Sequence, residues 1–240
     1  MKSFDRPLAH VPRWVRILLA VSLSTQVALK AGSRPGTPEA EDLPPAPGVR
    51  ALRIASIGEP ETLARLAMLY LQAFDYHGSN SAPYRSLDYN RLTGWLTAIL
   101  QLDTLSEYPL FLAARVYADV PDPRRQRIML EFIYGQFLLN PNRRWQWAAH
   151  AALVAKHQLK DLPLALKYAT AVDRLTTAAD VPLWAKQMEI FILEDMNELE
   201  AARIMLGGLL ESGRIPDAGE RRFLEGRLKE MQQRLEASPR

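Results

Sequence analysis

The chain has 240 residues, of which 48% are apolar and 24% are charged. These proportions are close to globular averages and exclude wholesale disorder, so we expect one main domain with a sizeable core. Cysteine is absent, which excludes disulfides, thiolate metal ligands and cysteine nucleophiles. The first 50 residues hold seven Lys/Arg against four Asp/Glu, and the remainder holds 23 of each. A neutral body argues against a nucleic-acid partner.

Residues 1–30 have the pattern of a membrane anchor or a signal segment, because four basic residues precede a mostly apolar run at 17–29. The run is shorter than the roughly 20 residues of a membrane span, which favours a signal peptide. Small residues are badly placed for cleavage, which favours an anchor. We predict an uncleaved single-pass anchor, with secretion after cleavage as the alternative. The charge asymmetry then places the anchor in an inner membrane and the bulk of the chain in the periplasm.

Residues 31–50 contain five prolines and three glycines without an apolar period. This composition predicts an extended linker, so we expect the folded domain to occupy 51–240.

From residue 59 onwards, apolar side chains recur with a helical period. The predicted helices cover 59–74, 87–102, 107–120, 122–139, 143–158, 161–176, 183–194, 198–213 and 217–237. The second helices of three successive pairs open at Asp122, Asp161 and Glu198, which are 39 and 37 residues apart. This spacing predicts an all-α array of antiparallel helix pairs, an α-solenoid that the polar last helix closes.

The corner of the third pair reads Leu-Lys-Asp-Leu at 159–162 and is followed by Ala165 and Tyr168. Glu198 and Leu199, followed by Ala202, repeat it. Residues 107–213 therefore resemble the tetratricopeptide repeat family, although the spacing exceeds the usual 34 residues. Leu153 and Lys156 stand where that family prefers a glycine and an aromatic residue. The resemblance implies a right-handed solenoid and a non-catalytic scaffold that holds a peptide or a partner helix in a concave groove.

No motif indicates an enzyme. His150 and His157 are seven residues apart on one predicted helix and have no third ligand nearby. The loop after the first helix contains His77 with aspartate and serine neighbours, but it lacks the turn and strand that mount a nucleophile. We expect no catalytic residue, no metal and no cofactor.

Two groups of residues are candidates for binding a partner. Arg124, Arg125, Arg143 and Arg144 stand in the first turns of helices, where the helix dipole disfavours them. We predict that they converge in one positive patch, with Trp147 as a stacking face, which favours an acidic protein or peptide. The alternative is ordinary solvated arginines. The second group is Tyr76, His77 and Tyr84, in a loop that either recognises a partner or lies on the first helix pair.

The leading hypothesis for function is a membrane-tethered, exported scaffold that binds a protein or peptide during assembly of an envelope or secretion complex. The alternative is a fixed structural subunit of a membrane protein complex. An all-α enzyme is a distant third.

Overall fold

A computed structural model describes residues 12–32, 43–75, 87–213 and 215–237 of the chain. The regular structure in these ranges is helical and contains no strand, which confirms the predicted all-α class. The chain divides into two units, 1–41 and 42–240. Residues 43–50, which the sequence assigned to the linker, belong to the second unit.

In the first unit, residues 13–32 form helix α1 (Arg13–Gly32). Its apolar side chains, among them Ile17, Leu18 and Leu19, are exposed. Among the helices of the described residues, none combines the length and the apolarity needed to cross a membrane. The predicted membrane helix thus gains no support, because the apolar run at 17–29 is short and contains four polar residues, at 22 and 24–26.

The second unit begins with helix α2 (Val49–Ala55), which sequence periodicity missed because seven residues are too few to show a period. Ten further helices or helical turns follow among the described residues. They are α3 (Pro60–Asp75), α4 (Tyr89–Leu102), α5 (Tyr108–Leu112) with a π-helical turn at Ala113–Tyr117, α6 (Pro123–Leu139), α7 (Pro141–His157), α8 (Leu162–Leu175), α9 (Leu183–Asp195), α10 (Leu199–Glu211) and α11 (Ala218–Ala237).

The corners between paired helices have a common construction. Asp122 and Asp161 cap helices α6 and α8: in the first turn, the Asp122 carboxylate accepts hydrogen bonds from two backbone N–H groups and the Asp161 carboxylate from one. Lys160 and Asn197, which are equivalent in the two last pairs, both adopt a left-handed backbone conformation with φ of 56° and 62°. Each of these residues turns the chain immediately before the next helix begins. The repeated corner supports a helical-repeat architecture.

Contacts between second neighbours divide the array into two layers. Gln72 of α3 donates a hydrogen bond to Tyr108 of α5 at 2.6 Å, and Lys156 of α7 forms an ion pair with Asp195 of α9. In the other layer, Arg127 of α6 donates to the Asp161 carboxylate at the start of α8 at 2.6 Å. Odd-numbered helices therefore contact odd-numbered helices, and α6 contacts α8, as in a stack of helix pairs.

The core follows this stacking. The largest cluster of buried side chains runs from α2 to α9, and a second cluster joins α9, α10 and α11. Ala165 and Ala202, each the fourth residue of the second helix in one of the last two pairs, are fully buried. Their small side chains fit positions where helices lie close together.

Helix α11 closes the last pair. It buries Leu224 and Met231 and is otherwise largely polar, which agrees with the predicted closing helix. Ion pairs hold it to α9, because the buried Glu194 carboxylate accepts hydrogen bonds from Arg227 at 2.6 Å and from Arg234 at 3.0 Å.

Candidate binding surface

A row of aromatic side chains crosses helices α5 and α7; its α5 members are exposed, and its α7 member is partly buried against the core. Tyr108 and Phe111 lie one helical turn apart on α5 and are 47% and 44% exposed. Their ring centroids are 6.4 Å apart, and the Phe111 ring meets the edge of Trp147 on α7 at 6.2 Å. We call Tyr108, Phe111 and Trp147 the aromatic row. Contiguous exposed aromatic side chains are typical of surfaces that bind proteins.

The Glu107 carboxylate holds the row in place. Its Oε2 accepts a hydrogen bond from the indole N–H of Trp147 at 2.5 Å, and its Oε1 accepts one from Arg143 Nε at 2.9 Å. Arg143 also donates to the Leu105 carbonyl at 2.5 Å. Two donors on α7 thus fix the loop before α5, so the aromatic row is pre-organised rather than assembled on binding.

Arg115 adds a positive charge beside the row. It lies one turn after Phe111 on the same face of the helix and is exposed. Arg115 pairs with no carboxylate among the described residues. Since Glu107 is already neutralised by Arg143, the charge next to the aromatic row is a cation.

His150 of α7 is partly buried and lies near Arg115. Its Nε2 lies 3.1 Å from the Ala114 carbonyl, where the π-helical turn leaves a backbone acceptor for a side chain. Burial, with a smaller contribution from the nearby Arg115, lowers the pKa of His150 below its ordinary value. The imidazole is therefore a neutral hydrogen-bonding group near neutral pH. No cluster of metal-binding side chains occurs among the described residues.

Arg144 belongs to the core of the protein. Its side chain donates to the Gln136 carbonyl at 3.0 Å, to Gln136 Oε1 at 2.9 Å and to the Thr104 carbonyl at 3.3 Å. The residue is 4% exposed, and burial lowers the pKa of its guanidinium. Arg144 thus caps the carboxyl end of α6 from the first turn of α7, which explains an arginine where the dipole of its own helix disfavours it. A partner cannot reach it.

The four predicted arginines do not form one patch. Arg124 and Arg125 begin α6, whereas Arg143 and Arg144 follow its end, and the 17 residues of that helix separate them by about 25 Å. Arg125 lies 3.5 Å from the Asp122 carboxylate and stacks over Tyr89 at 5.7 Å. The two pairs lie apart because α6 and α7 are antiparallel neighbours, so their first turns are at opposite ends of the helix pair.

Tyr76, His77 and Tyr84 lie outside the described residues, so their role in binding stays a prediction. Sequence reasoning missed Tyr108, Phe111 and Arg115. Their spacing of three and four residues marks the face of α5 opposite its buried side chains, and two aromatic residues on that face were the available signal.

No protein-family model, curated protein or solved structure matches the chain. The resemblance to tetratricopeptide repeats therefore rests on the helix pairs and their corners, which the structure supports at the level of a helical array.

Proposed function

We propose that the protein is a helical-repeat scaffold that binds a protein or peptide partner through the aromatic row and Arg115. The observation that carries the proposal is the exposure of Tyr108 and Phe111 against Trp147, in a row fixed by Glu107. Aromatic residues beside an arginine are frequent hot spots of interfaces. Such a surface fits a partner segment with an apolar side chain next to a carboxylate, because Arg115 supplies the cation that such a carboxylate pairs with.

Substitution with a matched control tests this proposal. Phe111→Ser removes the centre of the row, and Phe223→Ser removes a phenylalanine of α11 that is 58% exposed. The partner is purified with the full-length chain, and its recovery is measured together with the melting temperature of each variant. We expect Phe111→Ser and Arg115→Glu to reduce recovery at least tenfold at an unchanged melting temperature. Full recovery with both variants would refute the proposal.

A fixed subunit of a larger complex is the second candidate, favoured by a specific observation on α3. Leu66, Leu69 and Tyr70 are 55%, 62% and 42% exposed on this helix. An apolar face of this kind fits permanent cover by another subunit. A purified full-length chain that stays monodisperse favours the scaffold, whereas one that aggregates through α3 favours the fixed subunit.

The finer architecture and the location also belong to the proposal. We infer a right-handed, tetratricopeptide-like array whose chain is exported and held at a membrane by its N-terminal segment, residues 1–30. The exposed apolar side chains of α1, with Arg13 and Arg16 before them, support the tether. Fractionation of cells tests it: the tether predicts a full-length protein in the membrane fraction, and a soluble, shortened protein would show a cleaved signal instead.

A further inference from the structure

Residues 43–48, Leu-Pro-Pro-Ala-Pro-Gly, lie on helix α4 as a bound segment, which we call the strap. Prolines at 44, 45 and 47 fix their own φ angles and bias the residues before them towards extended backbone. This sequence therefore favours the polyproline II conformation, which has no internal hydrogen bonds. Among the described residues, no backbone–backbone hydrogen bond joins 43–47 to another part of the chain.

Two side chains of α4 hold the strap by its carbonyl groups. The indole N–H of Trp95 donates to the Pro44 carbonyl at 2.8 Å, and Arg91 Nη1 donates to the Leu43 carbonyl at 2.9 Å. The side chain of Leu43 is fully buried. An aromatic donor, a second donor and one apolar pocket are the elements by which proteins bind proline-rich segments in trans.

Open space borders the strap. It has a volume of about 540 Å³, lies between α4 and α6, and is lined by the strap residues Ala46 and Gly48 and by Asn90, Thr97, Gln101 and Phe132. This surface is on helices other than those that carry the aromatic row. A longer segment that takes the place of the strap therefore has room to extend.

We propose that this groove is a receptor for proline-rich segments. The chain fills the groove with its own residues 43–48. A partner that bears a leucine followed by prolines binds there by displacing the strap. The contacts of the strap define the ligand: a buried leucine, and carbonyl groups held in an extended backbone by the prolines. Because the strap is covalently attached, an external segment binds the wild-type protein only in the fraction of molecules whose groove is open.

A fluorescent peptide with the sequence LPPAPGV tests the proposal on the full-length chain. Leu43→Ala and Leu43→Asp weaken the strap, the second by placing a carboxylate in an apolar pocket. We expect both variants to bind the peptide at least tenfold more tightly than the wild type. Adding Trp95→Phe should weaken that binding about five- to tenfold, since one hydrogen bond is lost. Trp184→Phe, at an exposed tryptophan on α9, is the matched control and should leave binding unchanged.

Two further measurements keep the result decisive. Circular dichroism establishes whether each variant is folded. If Leu43→Asp unfolds, the peptide is tested on Leu43→Ala alone. A peptide in which aspartate replaces the leucine should not bind. A folded Leu43→Ala variant that takes up no LPPAPGV peptide would overturn the proposal, and so would binding that Trp95→Phe does not weaken. Either result would make the strap an ordinary part of the core.

Discussion

Replacing Arg144 by methionine measures how much the hydrogen bonds of this buried arginine contribute to stability, because methionine keeps most of the apolar volume and removes every donor. Two of its hydrogen bonds, to the Gln136 carbonyl and to Gln136 Oε1, are 3.0 and 2.9 Å long and buried. Hydrogen bonds from a charged donor contribute about 1.5–3 kcal/mol each. Removal of a desolvated charge offsets part of that loss, so we expect Arg144→Met to lower the free energy of unfolding by roughly 2–4 kcal/mol.

The adjacent Arg143→Met is a matched control. Arg143 makes an ion pair with Glu107, and its side chain is 41% exposed. Such exposed pairs contribute at most about 1 kcal/mol. For a domain of this size, 1 kcal/mol corresponds to about 2–4 °C in melting temperature. Arg144→Met should therefore melt roughly 4–16 °C below the wild type, and Arg143→Met within about 4 °C of it.

Thermal unfolding followed by circular dichroism, with urea unfolding at 25 °C, measures both variants. The reasoning that Arg144 caps α6 would be refuted if the two variants melted at the same temperature. A lower melting temperature for Arg143→Met than for Arg144→Met would refute it as well.

Three further predictions concern the array. Ala165→Leu overpacks a fully buried position and should cost about 1–3 kcal/mol, or roughly 2–12 °C in melting temperature; an unchanged melting point would contradict the tight pairing at α8. The hydrogen bond from Arg127 lowers the pKa of Asp161, so the ionised carboxylate stabilises the fold above about pH 4, and that contribution is lost as the pH falls through the folded-state pKa. Asp161→Asn keeps a capping side chain but loses this charge, so at pH 7 the variant should be less stable than the wild type by under about 1 kcal/mol, and the difference should vanish at low pH. A difference that persists in acid would mean that the lost stability comes from the cap and not from the charge. Glu194→Gln weakens the ion pairs to Arg227 and Arg234 and should therefore speed hydrogen exchange in α11. Glu200→Gln, which removes an exposed ion pair with Arg203, should leave that exchange unchanged. Equal effects of the two substitutions would show that Glu194 does not hold α11 in place.

Much of the fold could be predicted because it is encoded locally. Apolar side chains at helical spacing and the capping residues Asp122 and Asp161 mark the helices and their corners, since these signals act within one or two turns. The strap could not be predicted from its composition. Three prolines signal an extended segment, whereas the docking of that segment depends on Trp95, about 50 residues later in the chain.

The candidate binding surface was harder to predict for the same physical reason. Arg144 and Arg143 are neighbours with identical side chains, yet one is buried and the other is mostly at the surface. The loop at 103–107 supplies acceptors to both arginines, whereas Gln136 of α6 accepts hydrogen bonds from Arg144 alone. This contact with α6 is not visible in the sequence around the arginines. Trp147 was singled out from the sequence, but its neighbours Tyr108 and Phe111 come from a helix some 40 residues earlier.

Site-specific photo-crosslinking tests the central claim most directly. Benzoylphenylalanine replaces Phe111 in one full-length variant and Phe223 in another, and both are irradiated in cells that express the protein. The proposed scaffold predicts a discrete crosslinked partner from position 111 that Arg115→Glu diminishes, and none from position 223. Identical crosslinking from both positions, or a partner captured only from position 223, would contradict binding at the aromatic row.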